Sequence, residues 1–243
     1  MDKVTIEKHS PFRRSLGLRA GEWVVVRSKD EILQSLDSNG RLEGMPFTPQ
    51  MLQFCGKRFK VHKRAHKTCD PIYTMAARSL PNGVHLNLRC DGKAYGGCQV
   101  GCLLFWKEAW LKPVGASPAA AHDQSPTRTA GDAACTEADV WKATRIGGGK
   151  DEADTQYVCQ TTELPRFTKP LPWWSPAQYV EDYRSGNVTL EAILRGAFYS
   201  IFVKSPTRLY PFRVIYNAFQ GLIGGKPSPV NWGLIPLGRP QPT

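Results

Sequence analysis

"CDGKAYGGCQVGCLLFWKEAWL", residues 90–111, sets three cysteines within thirteen residues, spaced by glycines and followed at once by a tryptophan-rich strip. Three readings compete: a disulfide staple, a metal or cluster nest, or small core residues that lie close together. The chain holds seven cysteines, an odd number that cannot all pair internally. The opening "MDKVTIEKHSPFRRSLGL" has no continuous apolar stretch or small-residue cleavage site, so it does not read as a secretory signal and the expected compartment is the cytoplasm. Thiols stay reduced there, which counts against the staple.

Core filler explains one or two cysteines, since free cysteine is among the most buried residue types. It is a poor account of Cys55, Cys69, Cys90, Cys98, Cys102, Cys135 and Cys159 together, five of which fall between residues 55 and 102. Their settings suit ligation: Cys55 precedes Gly56, Cys69 and Cys90 each precede an aspartate, and Cys98 follows Gly96-Gly97. Glycine lets a backbone wrap a metal closely and aim N–H groups at sulfur. All seven are therefore candidate metal ligands, with His62, His66 and His85 as additional ones. Structural zinc favours cysteine pairs two to four residues apart, a spacing only Cys98 and Cys102 meet. Iron–sulfur clusters accept thiolates from more widely separated loops. The spacing tilts toward iron–sulfur, a four-iron cluster ahead of a two-iron one, and leaves zinc open. A cysteine nucleophile, Cys69 beside His66 and Lys67, ranks below ligation. No His-Glu-x-x-His, Walker loop or Gly-x-Ser-x-Gly elbow is present.

The formal net charge is +11, and Lys57, Arg58, Lys60, Lys63, Arg64 and Lys67 crowd one segment. They fit contact with an anionic substrate or an acidic protein partner, compensation of thiolate charge, or a solvated strand face. Nucleic acid is a further candidate, less favoured, because no base-reading signature accompanies the tryptophans. Trp106 and Trp110, four residues apart among leucines, read as core. No run of eighteen apolar residues offers a membrane-spanning helix.

The expected class is α+β: a small SH3-like β-barrel or open antiparallel sheet, stabilised by a cysteine metal or cluster site and followed by a helical segment. Residues 1–114 form the β module. "GEWVVVRS" is its first strand, "SKDEILQSLDSNG" a helix capped by Ser28, "RFKVHKRAH" one exposed strand, and Pro81-Asn82-Gly83 a turn into a strand with Val84, Leu86 and Leu88 on one face. His85, on the opposite face, points to solvent or a loop. Residues 115–134 read as a linker or mobile loop. Residues 135–170 carry Cys135 and Cys159 back to the β module. Residues 171–225 are helical, opening with Ser175 as cap and Pro176 in the first turn. Residues 226–243 form an extended Pro/Gly-rich tail.

"GEWVVVRSKDEI", "FCGKRFKVHKRAHKTCD", "LRCDG", "GCQVGC" and "FWKEAWL", continuing through "CTEADVWKATR", "YVCQTTEL" and "YVEDYRSGN", resemble an uncharacterised bacterial family of cysteine-rich proteins with SH3-like modules. The resemblance covers most of the chain and implies an association with biosynthetic genes, without an established activity. It also implies a second, related module in many members, with counterparts of Cys55, Cys90 and Cys98. From this follows a partition: Cys55, Cys90 and Cys98 with an unidentified fourth ligand in one site, and Cys69, Cys102, Cys135 and Cys159 in another. The function expected is a cytoplasmic metalloprotein with a cysteine-held iron–sulfur cluster or zinc. It would work in redox or biosynthetic chemistry as an enzyme, such as a metal-dependent oxidoreductase, or as a partner of one. The alternatives are a nucleic-acid-binding module with structural zinc, and a scaffold docking a partner through its helical tail.

Overall fold

The computed structural model describes residues 15–115, 135–147, 155–172, 174–202 and 222. Residues 116–134 of the expected linker, most of the expected helical stretch beyond Phe202 and the Pro/Gly-rich tail lie outside the described residues. The chain divides into one compact unit up to Asn187 and a second from Val188 onward.

Alternation decides the first strand, β1 (Trp23–Val26): Val24 and Val26 are fully buried while Trp23 faces out. Helix α1 (Lys29–Ser35) follows, its first turn closed by a capping box in which Ser28 and Glu31 each accept the other's backbone N–H. The helix is shorter than its sequence pattern suggests, because Leu36 is already extended. The hairpin of β2 (Arg41–Leu42) and β3 (Met45–Pro46) and the one-turn α2 (Pro49–Leu52) lead to β4 (Arg58–Lys60).

The basic segment expected as one strand is two. After β4 pairs with β1, Val61 still hydrogen-bonds Glu22, but His62 already donates to the His85 carbonyl. The chain thus passes to a second sheet as β5 (Lys63–Arg64), then to a third as β6 (Lys67–Cys69), which pairs with β7 (Ala77–Ser79). The Asn82-Gly83 turn opens β8 (Gly83–His85), and the tryptophan strip forms β9 (Trp106–Lys107), a 3-10 turn (Glu108–Trp110) and β10 (Leu111–Pro113). Beyond the linker come α3 (Glu137–Thr144), β11 (Arg145–Gly147), β12 (Gln156–Tyr157), α4 (Leu164–Phe167), β13 (Lys169–Pro170) and α5 (Ala177–Arg184). Pro176, not Ser175, occupies the cap position of α5.

Among the described residues the class is α+β, with small antiparallel sheets of order β10-β1-β4, β5-β8-β9, β13-β7-β6, β2-β3 and β11-β12, and no closed barrel. One core joins them. Trp106 and Trp110 are fully buried, and Phe47 meets both edge-on at 6.4 and 5.2 Å. Cys135, Val140, Leu164 and Phe167 from beyond the linker belong to the same core. In the second unit, α6 (Leu190–Phe202) carries a Glu191–Arg195 ion pair at 2.6 Å. No described helix is long and apolar enough to cross a membrane.

Buried charges fasten the first unit. Glu108 is fully buried and accepts the N–H groups of Leu16 (2.7 Å) and Leu18 (3.0 Å) while pairing with Arg64 (3.1 Å). Asp182 on α5 pairs with His66 at 3.1 Å and with Lys67. Asn187 bridges both backbone groups of Arg64, at 2.7 and 2.8 Å.

Glu31 sets an acid limit. Burial works against its charge, but hydrogen bonds from Lys112 and from the Ser28 backbone and hydroxyl outweigh it and hold the pKa at about 2. The folded value lies below the ordinary 4.5, so this stability is present above that pH and drains away as pH falls toward 2. Urea midpoints measured across that window should fall less steeply in Glu31→Gln than in the parent protein.

Candidate metal centre

The loop between Arg89 and Leu103 is built on a ladder. Arg89 bridges Leu103 in antiparallel fashion, Leu104 N–H donates to Leu88 O (2.8 Å), and Cys90 N–H donates to Cys102 O (2.9 Å). Cys90 and Cys102 thus lie one step beyond the Arg89–Leu103 bridge, joined by this single backbone bond at the base of the loop. Above them, a 3-10 turn (Lys93–Tyr95) closes with the N–H groups of Tyr95 and Gly97 donating to Gly92 O, each at 3.0 Å. Arg89 holds the far side through Gly101 O at 2.7 Å.

Gly92 is where the loop folds on itself. Its φ is +76°, and a Cβ there would sit 2.1 Å from Cys98 O. The obstacle is backbone, so a side chain at this position forces the loop open. Gly92→Ala is expected to cost about 1–3 kcal/mol and to raise the alkylation rate of the part-buried Cys90. Denaturation midpoints and timed maleimide labelling followed by peptide mapping check both effects.

The post-linker segment lies against this loop. Strand β12 packs on the 3-10 turn, and the Gln156 amide covers Gly96, 3.6 Å from where its Cβ would be. Val158 N–H donates to Thr144 O at 2.7 Å. Gln160 is the anchor: its Oε1 accepts Phe105 N–H (2.8 Å), and its Nε2 donates to Phe105 O (3.1 Å) and Pro46 O (3.0 Å). Sequence reasoning passed over Gln160, because an isolated glutamine carries no signal of the backbone it will meet.

Cys159 lies in the chain between the Gln156 contact and the Gln160 anchor. Burial raises the Cys90 thiol above its ordinary value, and the fields of Cys102 and Cys159 add to it, while the backbone N–H groups of Cys102 and Gly92 pull the other way. Tyr95 reports the same neighbourhood: burial, then Cys159, Asp91 and Cys90, push its phenol up to about 12 against a hydrogen bond to Thr48 (3.1 Å). N–H groups directed at a sulfur favour its thiolate.

The other cysteines stand elsewhere. Cys55 follows α2 and feels burial first, then Lys29 and Glu137, the ion pair that closes at 2.7 Å beside it. Cys135 is buried, its Sγ 3.6 Å from Thr136 O. Cys69 is exposed on β6 opposite Ala77. Among the described residues, no three His, Cys, Asp or Glu side chains are set in ready-made ligating geometry.

The histidines have their own surroundings. His85 does not face solvent: its Nδ1 meets Leu104 O at 2.9 Å, its ring lies 4.5 Å from Phe105, and burial lowers its pKa to about 4. His66 is held by Asp182 and the Gln178 carbonyl. Burial, then Lys63 and Arg89, lower the His62 pKa. Of the basic residues, Arg64 and Lys67 are engaged in ion pairs, and Arg58 lies 4.6 Å over the Trp23 ring. Lys57, Arg58, Lys60 and Lys63 are exposed, with β4 at a sheet edge. Charge on an edge strand also blocks pairing with another chain.

Comparison of the chain with protein-family models, with curated proteins and with solved structures finds no match in any of the three.

Proposed function

We propose that the chain is a cytoplasmic metalloprotein whose cysteines hold an iron–sulfur cluster or zinc, serving redox or biosynthetic chemistry as an enzyme or as the partner of one. The observation that supports this reading is the glycine-rich loop between Arg89 and Leu103, which carries Cys90, Cys98 and Cys102 and closes with Cys90 N–H on Cys102 O at 2.9 Å. Thiolates are the ligands that soft metals select, and N–H···S contacts are the usual support around them. A bound cluster would supply electron transfer; zinc would supply a fixed tetrahedral tie or a Lewis acid. The exposed Lys57, Arg58, Lys60 and Lys63 form the surface for an acidic protein or an anionic substrate.

Anaerobic purification followed by elemental analysis and visible absorption tests the reading. A brown protein with iron and sulfide, or a colourless one with stoichiometric zinc, is the expected result. A folded protein with neither metal and seven titratable thiols would overturn it.

A further inference from the structure

We infer that the outward face of the sheet β10-β1-β4 binds single-stranded nucleic acid, with Trp23 stacking on a base and Arg58, Lys60 and Lys112 meeting the phosphates around it. The inference rests on the basic surface proposed above, names the anion bound there, and is independent of any metal at the cysteines.

Alternation and register assemble this face. On the central strand β1, Val24 and Val26 are buried, so Trp23 and Val25 point outward. In β4, Phe59 opposes Val24 and packs against the core, so Arg58 and Lys60 share the outward side, opposite Val25 and Trp23. In β10, Leu111 is buried and Lys112 lies opposite Val25. The exposed Val114 follows two residues on, its N–H donating to Trp23 O at 2.9 Å. Trp23, Val25 and Val114 thus lie among Arg58, Lys60 and Lys112.

Such an array suits a ligand that is both anionic and flat. Trp23 is 47% exposed, and the Arg58 guanidinium lies 4.6 Å over its ring, a cation–π stack that holds ring and charge together. No residue of the three strands is acidic. Among the described residues, Arg58, Lys60 and the neighbouring exposed Lys57 take part in no ion pair. Lys112 reaches Glu31 at 2.7 Å, and Glu22 is turned to the Arg19 N–H at 3.0 Å. Blocking of edge pairing accounts for charge on β4 but not for Trp23, which stands on the central strand.

An acidic peptide would engage the cations and leave the indole in water. A nucleotide strand satisfies both, its phosphates meeting the cations and its base the ring. Bases in a duplex are stacked inside, out of reach of a flat sheet, so the strand is single. The three strands carry no amide or hydroxyl side chain to read a base edge or a ribose 2′-hydroxyl, so DNA and RNA strands are taken alike.

Fluorescence anisotropy tests the inference, using the full chain with labelled oligothymidylate and oligouridylate of about 15 nucleotides and a duplex of the same length, across a salt series. The two single strands should bind with the same affinity and the duplex more weakly. Log Kd should rise with log salt at a slope of about 2, the mark of three phosphate contacts. Trp23 and Lys60 point away from the core, so their variants keep the fold. Trp23→Ala should weaken both strands about tenfold, the loss of one base stack, and Trp23→Phe should recover part of it. Lys60→Gln should lower the slope by about 0.7. Lys169→Gln, which removes an exposed cation of the β13-β7-β6 sheet, should change neither affinity nor slope. Absence of binding at low salt, strand binding untouched by Trp23→Ala, or a duplex held as tightly as the single strands would each overturn the inference. Displacement by polyglutamate as efficient as by unlabelled strand would also overturn it, and would assign the basic surface to an acidic protein instead. Metal content, measured on the same preparation, decides the cysteine reading separately.

Discussion

Replacing Glu108 with alanine is expected to lower the unfolding free energy by about 3–5 kcal/mol, the cost of stranding one partner of a buried ion pair. The Glu108 carboxylate is fully buried and accepts two backbone N–H groups and the Ser15 hydroxyl besides pairing with Arg64, itself only 10% exposed at the side chain. Alanine leaves the guanidinium with only the half-exposed Glu181, at 3.0 Å, as its charge partner, and the amides of Leu16 and Leu18 without their acceptor. Urea titration measures the loss, and hydrogen exchange should show those two amides released to solvent rates. Glu108→Gln keeps an acceptor and removes the charge, so it should fall between alanine and the parent. A loss below about 1 kcal/mol in Glu108→Ala, within the usual range of an exposed pair, would show that the pair is hydrated in solution.

Gln160→Ala is expected to cost about 2–4 kcal/mol. The side chain satisfies a buried N–H and two buried carbonyls, and leaving such groups unpaired costs roughly 1–3 kcal/mol each, with incomplete additivity. The effect on the candidate centre should be larger than the stability change alone. Gln160 is the residue that ties Cys159 to Phe105, so its loss should raise the labelling rate of Cys159 in the metal-free protein and speed metal release in the loaded one. Gln160→Leu fills the volume without the hydrogen bonds and should behave like alanine. If leucine instead restores parental labelling, the segment is held by packing, and the hydrogen bonds are incidental.

Local features were legible in the sequence where the physics is local. The β-branched first strand, the Ser28 cap and the Asn82-Gly83 turn each involve residues within four positions of one another, and each is present as read. The tryptophans were recognisable as core because their neighbours in the chain are apolar too. Glu108, inside the same strip, was not recognisable as a buried anchor. Its partners Arg64 and Leu16 lie 44 and 92 residues away, and nothing beside it announces them. The basic segment shows the same limit. Six cations in a row look like one surface, yet Arg64 and Lys67 are spent on Glu108 and Asp182, and the strand they were assigned to changes sheets at Val61 and His62. Of the candidate centre, the glycine-spaced loop was legible from spacing alone. The fastening of the segment beside it depends on Gln160, whose partners are three backbone groups that no side-chain pattern encodes.

The Gln160 clamp also dates the centre within the life of the chain. Fifty-seven residues separate Cys102 from Cys159, so at about 5–20 residues per second a ribosome needs roughly 3–11 s to add the residue that covers the loop. During that interval Cys90, Cys98 and Cys102 already exist with glycines between them and no clamp above. An oxidant meets them as three uncovered thiols on a nascent chain. Growth under oxidative stress should therefore lower its yield more than the same stress applied after translation is stopped.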